Sequence, residues 1–397
     1  MRVTADPKGL PESDKLRPSS EQLSLLSARP PVRLPVLDVR QRGTSFHQVP
    51  VKAILNSPAS TGMGFWSLNP YVGCEFGCTY CYARDTHRWV VERLEGQGGG
   101  QADGRTLKDS LAVAGGPSAH PPDRPSASDA FEHRILVKTS AAAVLQRTLF
   151  PAKLAGATLV IGTATDPYQP AERRFRLTRS VLEALLGWRG LTLGITTKSP
   201  LILRDLALLQ QLAARHTLSV NISLASVDAA LLRRIEARSP APHARLRALK
   251  GLTDGGIHAG LLIAPVLPGI TDSRESLAAV LAAGKAAGAR YAVGLALRLG
   301  SAARHRFLPH LAQEFPELVE RYEQHYARRQ SAQRTYTEAL GRRLRALQRE
   351  FGFPVRGEKR RGQGALKDSL RSRGSGEQVV NHDSPVSQGS LLPEQLQ

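Results

Sequence analysis

Residues Asn69–Arg84 read NPYVGCEFGCTYCYAR, and they hold every cysteine of the 397-residue chain, Cys74, Cys78 and Cys81. Three thiols within eight residues, odd in number, do not make a disulfide framework; they point to a metal and a reducing compartment. The spacing is Cys74-x3-Cys78-x2-Cys81. Thiolates are the natural ligands of iron–sulfur clusters, and a [4Fe–4S] cube normally takes four of them. Three ligands leave one iron open, and an open iron can chelate the amino and carboxylate groups of an amino acid. The competing reading is a zinc site in which His87 is the fourth ligand, stapling a nucleic-acid-binding module without catalysis. Zinc sites more commonly join two separated pairs of ligands than use one compact triplet. A dithiol redox site asks for a CxxC at a helix start and has no use for a third thiol.

Outward from the cysteines the chain alternates apolar runs of strand length with Leu- and Ala-rich helical segments. The runs are Arg134–Val137, Thr158–Gly162, Leu191–Thr196, Thr217–Ile222, His258–Ala264 and Tyr291–Leu297, with one more around Ser67–Gly73 leading into the cysteines. Helical spacing recurs over Thr178–Leu186, Asp205–Arg215, Ala229–Glu236 and Arg274–Ala287. Near-continuous apolar strands separated by helices predict a buried parallel sheet. Six or seven such units fit a partial (β/α)6-type barrel better than an open sheet, although periodicity by itself leaves a doubly wound sheet open. The expected division is a disordered arm over 1–45 and a core over 46–95 and 131–305. A Gly-, Pro- and Ser-rich flexible insertion occupies 96–130, a basic helical extension 306–356, and a loose tail 357–397.

Lys and Arg number 54 against 34 Asp and Glu, a formal charge of +20, which favours polyanions and makes nucleic acid or a nucleotide the first partner to consider. The basic stretch Pro316–Glu350 interleaves Tyr with Arg; it reads as one long helix, suited either to phosphate contact or to a solvated Arg face on an outer amphipathic helix. The opening residues lack an apolar run of the secretory kind. The longest apolar stretch, GLLIAPVLPGI at Gly260–Ile270, contains two prolines and falls short of the about 18 residues of a membrane helix. The expectation is a soluble, cytoplasmic protein without a membrane partner.

The cysteine spacing, with Tyr80 just before the last ligand, resembles the signature of the radical S-adenosylmethionine (SAM) superfamily. The wider context, NPYVGCEFGCTYCYAR followed by GTATDPYQPAE (Gly162–Glu172), TTKSPLILRD (Thr196–Asp205) and IAPVLPGITD (Ile263–Asp272), resembles the branch of spore photoproduct lyase and related DNA repair photolyase-like proteins. The likeness runs from about Val51 to Gly300. It implies a TIM-barrel-type core holding a [4Fe–4S] cluster and SAM, reductive cleavage of SAM to a 5′-deoxyadenosyl radical, and a one-electron donor such as flavodoxin or ferredoxin. Spore photoproduct lyase uses a further cysteine to return a hydrogen atom to its product. This chain has no fourth cysteine, which leaves thymine-dimer repair without its donor unless a tyrosine such as Tyr168 replaces it.

Strand ends locate the candidate cofactor contacts, because side chains there converge on one mouth of a barrel. Thr165 and Asp166 follow the Thr158–Gly162 run, and Asp166 could bond a ribose hydroxyl or the methionyl ammonium, or simply set a turn before Pro167. Lys198 follows the next run and matches a family position whose lysine contacts SAM. Ser223 ends the run after that, with Asn221 beside it, and could donate to the cofactor or cap its own backbone. Tyr80 and Tyr82 flank Cys81, near the adenine or packed beneath the cluster loop. Glu236, Arg238 and Arg245, in RIEARSPAPHARL (Arg234–Leu246), read more readily as a helix-end salt bridge than as substrate contacts. Ala264-Pro265-Val266 would shape the pocket through its backbone.

Overall fold

The structure, a computed structural model, describes residues 36–39, 43–94, 129–327 and 329–355. The arm's residues 1–35, the insertion's 96–128 and the tail 357–397 lie outside the described residues. Two units are distinguished, Leu34–Arg88 with Arg124–Gln397, and Met1–Arg33 with Trp89–Asp123. Of the second, only the end of helix Ala83–Leu94 is described.

Among the described residues there are eleven strands: β1 (Val36–Val39), β2 (Ser45–Gln48), β3 (Leu55–Asn56), β4 (Trp66–Leu68), β5 (Tyr71–Val72), β6 (Arg134–Val137), β7 (Thr158–Ile161), β8 (Thr192–Thr197), β9 (Thr217–Ser223), β10 (Ala259–Val266) and β11 (Ala292–Ala296). Seven of them form one sheet in the order β11-β10-β9-β8-β7-β4-β3. From β4 to β11 every pairing is parallel, and β3 adds antiparallel to β4. The order never reverses, so there is no switch point of the doubly wound kind. Each strand steps in one direction round the sheet, as in a barrel. With six parallel strands and two unjoined edges, β3 and β11, the chain builds a partial (β/α)6 barrel.

Alternation within the strands explains the two faces. Leu159 and Ile161, Leu193 and Ile195, Val220 and Ile222, and Leu261 and Ile263 are completely buried and point to the surrounding helices. Their neighbours Val160, Thr196, Asn221 and Leu262 face inward and line a cavity. The helices return the pattern: Leu177–Leu185 buries Leu177, Val181 and Leu185, spaced four and eight apart, with Leu182 three before Leu185 on the same stripe. Each such side chain contributes about 1.5–3 kcal/mol on burial.

Three expectations need correction. Arg134–Val137 is a strand but not a barrel strand: β6 pairs with β2 and β5 in a second sheet, β1-β2-β6-β5, where Ile135 and Val137 pack with Phe46, Tyr71 and Leu177. A four-residue apolar run carries no record of its partner, and here the partners β1 and β2 lie in or next to the stretch read as an unstructured arm. The run Ser67–Gly73 is two strands, β4 in the barrel and β5 in the small sheet. Pro70 has no N–H for a ladder, and Asn69 holds the crossing point, donating to Thr163 Oγ1 (3.1 Å) and accepting from the Ala164 N–H (2.8 Å). Pro316–Glu350 is not one helix but a 3-10 turn, helix Val319–Tyr326 and helix Arg334–Glu350. Between the helices Ser331 forms an isolated bridge with Arg298, and the Gln330 carbonyl accepts from the Leu299 N–H (2.7 Å). The last helix buries Leu340, Leu344 and Leu347 and exposes Arg342 and Arg345. Its Gln348 donates to the Ala292 carbonyl (2.7 Å), covering the β11 edge.

No described helix is long and apolar enough to cross a membrane.

Candidate functional site

The cysteine loop is shaped by its backbone. Gly73 has φ +87°, and a Cβ there would stand 2.8 Å from the Phe131 carbonyl, so only glycine fits. Its own carbonyl accepts from Thr165 Oγ1 (2.6 Å) and Gln169 Nε2 (3.2 Å), while Gln169 Oε1 accepts from the Glu75 N–H (2.9 Å). The loop then turns twice, with Gly77 N–H bonded to the Cys74 carbonyl and Cys81 N–H to the Cys78 carbonyl (both 3.2 Å). Behind it lies the fully buried Arg84. Its guanidinium pairs with Glu132 (2.9 Å), donates to the carbonyls of Gly77 (3.4 Å) and Cys78 (3.3 Å), and sits 4.7 Å from the Phe131 ring centre.

Cys74, Cys78 and Cys81 are free thiols and all line one cavity of about 450 Å³ at the carboxyl ends of the barrel strands. Tyr80, Tyr82, Thr165, Asp166, Lys198 and Ser223 line the same cavity, as do Asn221, Ala264 and Pro265. Phe65, Val160, Leu262, Val293 and Leu295 give it apolar walls, and Arg298 adds a second cation. The volume lies within the range of ligand pockets.

Hydrogen bonds order this wall. Asp166 accepts from Thr197 Oγ1 (2.6 Å) and from the N–H groups of Lys198 (2.7 Å) and Tyr168 (2.9 Å), tying the end of β7 to the end of β8. Burial nevertheless raises its carboxyl above the ordinary range, against those bonds and Lys198. Gly162, with φ +92°, lets the chain pass here: a Cβ would meet the Thr196 carbonyl at 2.5 Å. Ser223 Oγ donates to the Ala264 carbonyl (3.1 Å), and Tyr82 hydroxyl donates to the Thr163 carbonyl.

Lys198 joins three partners in the cavity wall. Its Nζ lies 3.2 Å from Cys78 Sγ, 2.9 Å from Tyr80 Oη and 3.2 Å from Glu236 Oε1. Glu236 also accepts from Tyr80 and pairs through Oε2 with Arg245, whose other nitrogens donate to the carbonyls of Pro240 (2.7 Å) and Ser223 (3.1 Å). One buried carboxylate thus holds two cations, Arg245 fully buried and Lys198 half-buried at the cavity wall. Burial pushes Glu236 up, but Lys198 and Arg245 outweigh it and hold the carboxyl at about 2. The thiols respond oppositely: burial pushes Cys74 well up, with Asp166 and the other two cysteines adding to it, and takes Cys81 to about 11 with Cys78 adding. Cys74 and Cys81 resist ionising, and a cationic metal centre would neutralise such ligands.

A single ion fits less well. Among the described residues no three His, Cys, Asp or Glu side chains converge as one ion requires, whereas the thiolates of a cluster each take a different iron. His87, the fourth ligand of the zinc alternative, is fully buried elsewhere, its Nε2 3.0 Å from the Arg134 carbonyl and its ring edge-on to Phe131. Tyr168 is also fully buried and does not line the cavity, so it cannot stand in as the missing hydrogen donor. Arg238 is exposed and outside the cavity, while Glu236, at the C-cap of helix Ala229–Ile235, bridges Arg245 as expected of a helix end, with the bridge buried and coupled to Lys198. The sequence carried a signal for Arg245: it falls in register with buried Pro242, Leu249 and Leu252, an arginine on the apolar stripe of its helix. The Arg84–Glu132 pair had none.

Residues 68–281, more than half of the chain, match the family model of the Radical SAM superfamily, and the chain belongs to that superfamily. The family implies SAM and an iron–sulfur cluster. An uncharacterized protein of Mycobacterium tuberculosis (strain ATCC 25618 / H37Rv) is 33% identical over 341 residues, covering 85% of this chain and 88% of the relative. An uncharacterized protein of Methanocaldococcus jannaschii is 27% identical over 205 residues, covering 52% of this chain and 61% of the relative. Among solved structures, a spore photoproduct lyase double mutant with bound AdoMet and dinucleoside spore photoproduct is 14% identical, with a TM-score of 0.48 over 77% of this chain and 79% of that one.

Proposed function

We propose that this chain is a radical SAM enzyme in which Cys74, Cys78 and Cys81 hold three irons of a [4Fe–4S] cluster and the fourth iron takes the amino and carboxylate groups of SAM. The observation that carries this reading is that three free thiols and the six other residues singled out in the sequence line one cavity. When bound, the cluster supplies one electron to the sulfonium, which breaks the S–C5′ bond and releases methionine and a 5′-deoxyadenosyl radical. The chain's residues bind and orient. Lys198 brings a cation to the methionyl carboxylate, and the Glu236–Arg245 pair keeps that cation aimed. Ser223 and Asn221 offer hydroxyl and amide groups from β9, and Tyr80 and Tyr82 flank the adenosyl group. Thr165 and Asp166, engaged with Gly73 and with β8, act by holding the loop and Lys198 in place. The apolar walls exclude water and stray hydrogen donors from a reactive radical.

The substrate is a nucleic acid or nucleotide, read from the charge of +20 and from Arg298 in the cavity wall. The electron donor is a flavodoxin- or ferredoxin-type carrier, and the three unpaired thiols support a reducing, cytoplasmic setting. The test is anaerobic reconstitution with iron and sulfide, followed by an assay for 5′-deoxyadenosine with dithionite and SAM. A brown protein that forms deoxyadenosine supports the reading. A colourless protein holding one equivalent of zinc and forming none rejects it.

A further inference from the structure

The cysteine loop has an outer side, away from the cavity, and its cover is thin. Thr79 donates through its N–H (3.3 Å) and its hydroxyl (3.2 Å) to the Ile235 carbonyl at the end of helix Ala229–Ile235, and Ser239 Oγ lies 3.5 Å from Cys78 Sγ. Glu132 closes the same side: its Cβ would stand 3.3 Å from a Cβ added at Gly77. Directly outside these buried contacts lies a linked group of cations. Arg238, next to Ser239, is exposed with its guanidinium 3.4 Å from His133 Nε2. Arg306 reaches Glu132 at 3.9 Å, Arg233 donates to the Ala237 carbonyl, and Arg234 pairs with Glu314 at 2.6 Å. The two acids in the group, Glu132 and Glu314, are each engaged by an arginine, so among the described residues the face keeps an excess of positive charge. None of these residues lines the cavity.

We propose that this face, centred on Arg233, Arg238 and Arg306 over the cysteine loop, docks an acidic one-electron carrier protein; the inference rests on the function proposed above. Electron transfer falls off steeply with distance, and the route from Arg238 through Ser239 to Cys78 crosses one residue of cover. A carrier must arrive fast and leave again, which calls for a small charged contact rather than a broad apolar one. A substrate lodged in the cavity meets Arg298 and the apolar walls, leaving this outer group without a role in holding it. The transfer is balanced: the carrier is oxidised by one electron, the thiolate-bound iron is reduced by one, and no bond forms or breaks between the two proteins.

The experiment compares the native protein with the double variant Arg233→Glu/Arg238→Glu, using a reduced flavodoxin as the carrier. Both side chains are exposed, and circular dichroism checks that the variant folds. Affinity for flavodoxin is measured directly at low and high salt, and deoxyadenosine formation is driven in parallel by flavodoxin and by dithionite. The expected result is an affinity reduced about ten- to a hundredfold, with native binding weakened by salt. Flavodoxin-driven turnover falls in step while dithionite-driven turnover holds. A control with Arg342→Glu/Arg345→Glu, which changes net charge equally on the last helix, should leave affinity near native. The proposal is overturned by unchanged affinity, by equal loss in the control, by equal loss with both reductants, or by a variant that instead loses affinity for a DNA or RNA oligonucleotide. Failure of the native protein to form deoxyadenosine with dithionite overturns the enzymatic function itself, and the docking proposal with it.

Discussion

Replacing Glu236 with Gln would remove the anion shared by the buried Arg245 and the half-buried Lys198 while keeping the side chain's size and one acceptor oxygen. Lys198 stands 3.2 Å from Oε1, a separation at which two unit charges attract by about 5 kcal/mol at an effective dielectric near 20. Arg245, itself fully buried, bonds the other oxygen. Desolvation offsets much of this attraction in the native protein, but in the variant Arg245 stays buried and Lys198 half-buried, both without this counter-charge. Breaking a buried pair in this way costs about 3–5 kcal/mol. Equilibrium urea unfolding of the metal-free protein in reducing buffer at neutral pH measures it. Arg245→Met should cost less, about 2–3 kcal/mol, because Lys198 still pairs with Glu236 and the principal loss is the donors to the Pro240 and Ser223 carbonyls. The pH dependence supplies a second readout. A carboxyl held at about 2 in the fold against 4.5 when free contributes stability that is complete above about 4.5 and declines as the pH falls toward 2. Glu236→Gln should lack that decline. A cost below about 1 kcal/mol, or parallel acid losses in variant and native, would refute the picture of a shared buried anion.

Other outcomes can be measured independently. Serine at any one of Cys74, Cys78 and Cys81 should abolish the visible absorption and cut bound iron after reconstitution, with circular dichroism near native. Gly162→Ala should destabilise by about 2–3 kcal/mol in thermal or urea unfolding, since its Cβ would press on the Thr196 carbonyl and on Pro167 Cδ at 2.6 Å. Burial lowers His87 to about 4, so its contribution is complete above about 6.5 and falls as the pH drops toward 4, at up to about 1.4 kcal/mol per pH unit. His87→Gln should flatten that slope in stability-versus-pH curves. Leu344→Ala removes a buried side chain packed over Gly294 at the β11 edge and should cost about 2–5 kcal/mol in urea unfolding.

Much of this protein is written locally. The spacing of Cys74, Cys78 and Cys81 is a matter of eight consecutive residues, and the chemistry of three thiols without a fourth follows from it directly. The alternation of Thr158–Ile161, Thr192–Thr197, Thr217–Ser223 and Ala259–Val266 with helices likewise shows in short windows, because strand and helix periods are properties of neighbours along the chain. Strand ends then point to Asp166, Lys198 and Ser223 as rim residues. What only the tertiary structure decides is partnership. β6 left the barrel for the small sheet because β2 and β5 offered it both edges, which an isolated RILV run cannot reveal. Lys198 meets Cys78 across 120 positions and Tyr80 meets Glu236 across 156. Such meetings depend on the order in which strands lie side by side, and on how far a buried charge must reach to find its counter-charge. Neither distance exists until the sheet has curled.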